Sequence, residues 1–281
     1  MIEKFSRSWA LVKASAAVLR SDKELLLFPA LSALCSLLVL ASFATPLFLS
    51  GALDHAARHE SRPLLAVVGF AFYFVQYLVI IFFNTALVGA ASIRLRGGDP
   101  GVGDGFRLAL GKLPAILGYA AIAATVGLVL RAIQERSGWL GRWVAGLLGA
   151  AWTVASFLVV PVLVHEDVGP LDAVKQSVTL LKRTWGENLI GNAGFGLVFF
   201  VLMLLALVPA AVVGALALAA KSGAGVAAAV ALGVIAVLLV ALVQAALQGI
   251  YAAALYRYAA QGEVGGGFDR ALVAQAFRVK A

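Results

Sequence analysis

Cysteine and charged residues are both scarce in this 281-residue chain. Cys35 is its single cysteine, which excludes an intrachain disulfide and a multi-cysteine metal site. Only 13% of the residues are charged, whereas 62% are hydrophobic, and the mean hydropathy is +0.98. A soluble domain of this size cannot bury so much apolar surface, so the composition indicates a membrane protein.

Six runs without a charged residue fill most of the chain. They cover residues 25–53, 63–93, 113–130, 143–164, 188–220 and 222–256. A helix needs about 20 residues to cross the hydrocarbon core of a bilayer, and only the third run, with 18, falls short of that length. The runs predict an all-α polytopic transmembrane bundle with six spans, forming one integral membrane domain over residues 1–281. Pro46, Pro161 and Pro209 are predicted to kink or end their helices.

Lysine and arginine alternate between the two sides of the predicted bundle. Sixteen of the 22 basic residues flank the runs on the side of the N-terminus, and six lie on the other side. Loops rich in Lys and Arg stay in the cytoplasm, so both termini are predicted to be cytoplasmic. The net charge of +8 is spread between the spans rather than gathered on one face, which favours anionic phospholipid over nucleic acid as the partner.

A short basic amphipathic segment precedes the first, third and fifth runs. This recurrence predicts three units of interfacial helix plus transmembrane hairpin, at about residues 1–93, 99–164 and 169–258, with a further amphipathic helix at 268–277. Such helices are expected to lie in the headgroup plane, and the alternative is that they pack beneath the bundle. The candidate headgroup-binding residues are Lys13, Lys175, Lys182 and Arg183.

Polar side chains inside the second and sixth runs form the candidate intramembrane site. The candidates are Gln76, Asn84, Gln244 and Gln248. The two last residues lie one helical turn apart beside small residues, which favours hydrogen bonding between helices. The alternative is that the four residues line a substrate pathway. Because no Asp, Glu, Lys, Arg or His lies deep within a run, the sequence argues against a proton-coupled pump.

Metal and catalytic motifs are weak in this sequence. His55 and His59 are four residues apart in the first loop but have no convincing third ligand, so a polar loop is favoured over a metal site. His165, Glu166 and Asp167 are interpreted as the polar end of the fourth span rather than as a catalytic cluster. We therefore predict no metal, no cofactor and no enzymatic activity.

Two parts of the chain resemble known membrane proteins. Residues 5–15 (FSRSWALVKAS) and 19–29 (LRSDKELLLFP) resemble the opening of a family of bacterial six-span membrane proteins without an established reaction. Residues 172–177 (DAVKQS) and 180–185 (LLKRTW) are similar to a motif in the membrane domain attached to some glycerophosphodiester phosphodiesterases. The chain has no room for the soluble phosphodiesterase barrel, so the resemblance implies an integral protein of the bacterial inner membrane and no hydrolase activity.

These observations favour a non-enzymatic inner-membrane protein that serves phospholipid handling or envelope organisation. The alternative is a transporter or permease for a small or amphipathic solute, whose pathway the polar residues of the second and sixth runs would line. The substrate, the protein partners and the oligomeric state do not follow from the sequence.

Overall fold

The computed structural model describes residues 2–49, 62–136, 138–184, 189–263, 265 and 268, and all regular structure within these residues is helical. The helices are α1 (Ile2–Ser21), α2 (Leu27–Leu49), α3 (Arg62–Leu95), α4 (Val102–Gly111), α5 (Leu113–Arg136), α6 (Trp139–Ala155), α7 (Val159–His165), α8 (Pro170–Thr184), α9 (Leu189–Ala219) and α10 (Gly223–Gln261). A 3-10 turn, Lys23–Leu26, joins α1 to α2. The predicted all-α class is confirmed.

Six helical segments are long and apolar enough to cross a membrane. They are Lys23–Leu49, Ala66–Leu95, Leu113–Glu135, Trp139–His165, Gly196–Ala219 and Gly223–Gln261. The chain is therefore a multi-pass membrane protein, and each segment overlaps one of the predicted spans. The third span continues beyond Leu130 to Glu135, so it has the length that the uncharged run lacked.

The two ends of the bundle differ in charge and in packing. We call the end that carries Arg94, Lys112 and Arg257 the basic end, and the end that carries Arg131 and Lys221 the opposite end. Buried residues concentrate in the half next to the basic end, where residues 85–92 of α3 and 249–256 of α10 are all buried. The half next to the opposite end exposes many leucines and valines, which face lipid in a bilayer. We call the half rich in buried side chains the tightly packed half and the half rich in exposed apolar side chains the loosely packed half.

The three amphipathic helices α1, α4 and α8 precede the first, third and fifth spans, as predicted. Each one packs its apolar face against the spans: α1 against α9 and α10, α4 against α3, and α8 against α5, α6, α7 and α10. Lys13, Lys175 and Lys182 are exposed on the outer faces of α1 and α8. Their position in the headgroup plane stays a prediction, and the predicted helix at 268–277 lies outside the described residues apart from Phe268.

Helix α4 approaches α3 closely because glycine occupies the contact. A Cβ atom at Gly105 would lie 2.7 Å from the carbonyl oxygen of Ala86 and 2.5 Å from the ring of Phe28. One turn along α3, Gly89 lies against the side chain of Leu108 in the same way. Because neither glycine has a side chain, α4 can lie closer to α3 than a larger residue at either position would allow.

The fourth span is broken into α6 and α7 at residues 156–158. Pro161 causes the break, because its nitrogen cannot donate to the carbonyl of Phe157 and its ring clashes with that carbonyl. Ser177 of α8 satisfies the backbone there: its Oγ donates to the carbonyl of Ala155 at 2.6 Å and accepts from the amide of Leu158 at 3.1 Å. The predicted effect of Pro161 is confirmed, whereas α2 and α9 continue past Pro46 and Pro209.

Candidate functional site

A cavity of about 480 Å³ lies within the bundle, where the tightly packed half meets the loosely packed half. We call it the inner cavity. Its walls come from α2, α3, α5, α6 with the following turn, α7 and α10. The polar lining residues are Ser32, Tyr77, Asn84, Tyr119, Thr153, Ser156 and Gln248, and the apolar ones include Ile80, Phe83, Trp152, Phe157 and Val160. Thr153 and Gln248 are exposed on its rim, so the cavity is open at the side.

Small residues on α10 and the break in the fourth span together create the inner cavity. Ala245, Gly249 and Ala252 form part of its wall, and Gly249 lies directly against the side chain of Leu87 on α3. On the facing side, Ser156 belongs to the turn that Pro161 imposes after α6. The small side chains on α10 and the change of direction after α6 thus leave space between the helices.

The inner cavity brings together two of the four predicted intramembrane residues. Asn84 and Gln248 both line it. Gln244, one turn before Gln248, is half-buried and lies outside the lining. Gln76 buries its Oε1 without a hydrogen-bond partner among the described residues, and it also lies outside the lining.

Tyr119, Thr153 and Ser156 are lining residues that sequence reasoning missed. Each sits in an apolar run where a single hydroxyl is unremarkable, since Ser and Thr in helices commonly bond their own backbone. Thr153 does so with the carbonyl of Gly149 at 2.9 Å, and Ser156 with that of Trp152 at 2.7 Å. The sequence did give one indication of their role. Thr153 and Ser156 come shortly before Pro161, which predicts a break in the helix.

The lining of the inner cavity carries no formal charge among the residues that the structure describes. Its hydroxyl and amide groups can donate and accept hydrogen bonds, while its aromatic and aliphatic groups cover the remaining wall. A fully charged ligand would lose its hydration there without gaining a counter-charge, which costs several kcal/mol in an apolar setting. The chemistry of the lining thus suits a ligand that has a polar part without net charge and an apolar part.

A second cavity of about 410 Å³ lies nearer the opposite end, between α3 and α5. We call it the edge cavity. It is lined by Tyr73, Tyr77, Gly127, Leu130, Arg131, Gln134 and Glu135. Tyr77 belongs to the lining of both cavities, and its ring packs over Gly127, where a Cβ atom would lie 3.4 Å from the phenol oxygen. Tyr77 therefore forms part of the wall of both the edge cavity and the inner cavity.

A polar cluster at the basic end connects four parts of the chain. Glu166 accepts hydrogen bonds from the hydroxyl of Tyr256 on α10, at 2.8 Å, and from the amide of Gln176 on α8. Lys112, between α4 and α5, donates to Asp167 at 2.7 Å and to the carbonyl of Glu166 at 3.0 Å. The bond from Lys112 holds the pKa of Asp167 below its usual value. We call these five residues the basic-end latch.

His165 stacks on the ring of Tyr256 with 4.7 Å between the ring centroids, and it faces the latch. Its Nδ1 is bonded to the carbonyl of Pro161, which fixes the imidazole to its own helix. The arrangement matches the interpretation of His165, Glu166 and Asp167 as the polar end of the fourth span. Every one of these side chains already has a structural partner.

The predicted headgroup-binding residues lie on two different helices. Lys13 on α1 places its Nζ over the ring of Trp9, 5.7 Å from the centroid, and Lys175 on α8 pairs with Asp172 at 3.0 Å. Lys182 is exposed and forms no ion pair within the described part of the chain. The side chain of Arg183 lies outside the described residues, as do His55 and His59.

Comparison with known families gives a match over most of the chain. The profile of DUF6159, a family of unknown function, matches residues 64–267, which is more than two thirds of the sequence. The chain belongs to this family. The match begins in α3 and ends after α10, so it includes the edge cavity, the basic-end latch and most of the inner-cavity wall. No curated protein matches the chain.

Proposed function

We propose that the protein binds a membrane lipid or lipid-like amphipathic molecule in the inner cavity and serves phospholipid handling without catalysing a reaction. The single observation that carries this proposal is a cavity of about 480 Å³ at the junction of the packed and loose halves, with an uncharged polar and apolar lining. Small-molecule sites have volumes of about 300–1,000 Å³, so the space suits a headgroup or the first part of an acyl chain.

The side opening supports a ligand that arrives from the bilayer. Thr153 on α6 and Gln248 on α10 are exposed on the rim, and the helices around them present apolar side chains to the hydrocarbon. A lipid can enter such an opening without leaving the membrane, whereas a water-soluble molecule would have to cross an apolar surface. The polar groups inside would then replace part of the hydration of the headgroup.

The absence of catalysis in this proposal follows from the chemistry of the lining. Among the described residues, the inner cavity presents neither a carboxylate nor an imidazole nor a thiol. General acid–base and nucleophilic catalysis need such groups, or a hydroxyl activated by one of them. At the basic end, Glu166 accepts from Tyr256 and Gln176, Asp167 accepts from Lys112, and His165 is bonded to the carbonyl of Pro161.

The exposed lysines extend the proposal to the membrane surface. We propose that the protein lies in the inner membrane of a bacterium with both termini in the cytoplasm. The 16 of 22 basic residues that flank the spans on the side of the N-terminus support this orientation. Lys13, Lys175, Lys182 and Arg183 would then face the cytoplasmic leaflet and prefer anionic phospholipid. The preference is expected to weaken when the lysines are changed to glutamine and when the salt concentration rises.

Lipid retention by leucine variants of the intramembrane amide residues tests the proposal. The protein and its Gln248→Leu, Asn84→Leu and Gln244→Leu variants are purified in a mild detergent, and bound lipid is measured by native mass spectrometry. We expect the two lining variants to lose lipid about fivefold or more, as the loss of one hydrogen bond predicts. Gln244→Leu is the control, since this residue lies one turn away and outside the lining. Equal retention by all three variants would refute the proposal.

The second candidate function is a permease for a small or amphipathic solute. The edge cavity favours it, because it lies beside the inner cavity and holds ionisable groups near the opposite end. Uptake assays in proteoliposomes distinguish the two functions. Solute uptake that Asn84→Leu abolishes, without retained lipid in the wild type, would support the permease.

A further inference from the structure

The edge cavity combines one positive and one negative side chain at the boundary of the membrane. Arg131 Nε bonds to Glu135 Oε1 at 2.7 Å, and Arg131 Nη1 donates to the hydroxyl of Tyr73 at 3.2 Å. Eighteen residues of α5 separate Arg131 from Leu113, which corresponds to about 27 Å of helix. This length is close to the ~30 Å of the hydrocarbon core, so the pair lies at headgroup depth when α5 crosses the bilayer.

The ion pair in the edge cavity is accessible to a ligand. The side chains of Arg131 and Glu135 are 58% and 62% exposed, and pairs of that kind contribute little to stability. Two of the five N–H groups of the guanidinium are bonded within the described part of the chain. The remaining N–H groups can bind phosphate oxygens, and the carboxylate of Glu135 can accept from an ammonium group.

The balance of charges determines which headgroup fits. A net-negative headgroup would be attracted by Arg131 but repelled by Glu135, whose carboxylate is only 2.7 Å from the guanidinium. A headgroup with a phosphate and an ammonium group meets a complementary charge at each position. The inner cavity, whose described lining is uncharged, also excludes a net charge more strongly than a balanced pair of charges.

We infer that the edge cavity is a docking site for the zwitterionic headgroup of a phospholipid, with Arg131 on the phosphate and Glu135 on the ammonium group. This inference rests on the proposed lipid-binding function and names its substrate class. Tyr77, which lines both cavities, stands between this docking site and the inner cavity. The headgroup binds first at the membrane edge and then passes Tyr77 to reach the hydroxyl and amide groups inside.

Competition between two phospholipids tests the docking site. The purified protein is exposed to equal amounts of phosphatidylethanolamine and phosphatidylglycerol with identical acyl chains, and retained lipid is measured by native mass spectrometry. The variants are Arg131→Gln, Arg131→Lys and Glu135→Gln. Arg142→Gln is the control, because this exposed arginine on α6 lies outside the edge cavity. The melting temperature of each variant verifies that it is folded.

Different responses are expected from the two charge changes: a loss of both lipids in Arg131→Gln and a shift in selectivity in Glu135→Gln. Arg131→Gln should lower retention of both lipids about tenfold, which corresponds to the loss of a hydrogen bond to a charged group, and Arg131→Lys should restore part of it. Glu135→Gln should lower the retention of phosphatidylethanolamine and raise that of phosphatidylglycerol. The control should retain both lipids as the wild type does.

Two results would overturn the docking site. One is retention of both lipids at the wild-type level in Arg131→Gln. The other is a ratio of the two lipids that Glu135→Gln leaves unchanged. Neither result decides the inner cavity, because Gln248→Leu against Gln244→Leu tests that site separately. Loss of all lipid in Gln248→Leu together with an unchanged ratio in the edge variants would leave the proposed function standing.

Discussion

Replacement of Ser177 by alanine tests how the broken fourth span is stabilised. The side chain of Ser177 is completely buried, and its Oγ bonds both to the carbonyl of Ala155 and to the amide of Leu158. The Ser177→Ala variant removes both bonds. One carbonyl and one amide of the backbone then lose their partner inside the protein.

The size of the effect follows from these two orphaned groups. A buried polar group without a partner costs about 1–3 kcal/mol, so the pair is expected to lower the free energy of unfolding by about 2–6 kcal/mol. Thr179→Ala on the same helix is the matched control. Its hydroxyl is exposed and bonds only to the carbonyl of Lys175, one turn earlier, so its loss should cost less than about 0.5 kcal/mol.

Unfolding of the purified protein in mixed micelles, titrated with a denaturing detergent and followed by circular dichroism, measures both variants. A Ser177→Ala protein within about 0.5 kcal/mol of the wild type would show that the break does not depend on this hydroxyl. A loss of equal size in Thr179→Ala would assign the effect to helix α8 as a whole. Either outcome would refute the reasoning from the two hydrogen bonds.

Three further substitutions probe other parts of the structure. Gly105→Ala should destabilise the protein by about 1–3 kcal/mol, because the new Cβ meets the carbonyl oxygen of Ala86, which cannot move away. Tyr256→Phe should cost about 1.5–3 kcal/mol, because the carboxylate of Glu166 loses the hydroxyl that bonds it. Burial raises the pKa of Asp22 above 3.8 in the folded protein, so the folded protein binds this proton more tightly than the unfolded chain does. The resulting contribution to the free energy of unfolding is fully present below pH 3.8 and is lost as the pH rises through the folded-state pKa. Asp22→Asn should therefore flatten the fall in melting temperature over that interval.

Each of these three predictions has a result that would contradict it. Gly103→Ala is the control for Gly105, since the space around Gly103 is open, and equal destabilisation of the two would remove the steric argument. A Tyr256→Phe protein as stable as the wild type would mean that the latch does not hold α10. A wild type whose melting temperature is constant between pH 3.8 and neutrality would contradict the assignment for Asp22.

The fold class was predictable because the bilayer restricts the answer. Backbone groups in hydrocarbon have to bond within their own segment, so a long uncharged run predicts a helix regardless of its detailed sequence. The end of the third span was less predictable, because Arg131 closes the uncharged run while the helix continues to Glu135. A long charged side chain at the membrane edge can extend its head towards water, so the charge does not end the helix.

The candidate site was predictable only in part. Asn84 and Gln248 attract attention because a side-chain amide in an apolar run is costly without a partner. Ser177 gave no such signal, since its role depends on Pro161, sixteen positions earlier, and on the way in which α8 packs against the break. Contacts between distant segments of this kind follow from packing rather than from local sequence.

The position of the inner cavity follows from the same two features that give the bundle its uneven packing. Towards the basic end, the buried residues of α3, α7 and α10 and the latch around Glu166 close the space between the helices. Towards the opposite end, the helices present their side chains to lipid and leave the space open. With the proposed function, a ligand would enter from the side or from the edge cavity, while passage to the basic end would require α10 to separate from Glu166. The hydrogen bond from Tyr256 opposes that separation, so a protein that only stores its ligand needs the bond, and a protein that carries its ligand across has to break it.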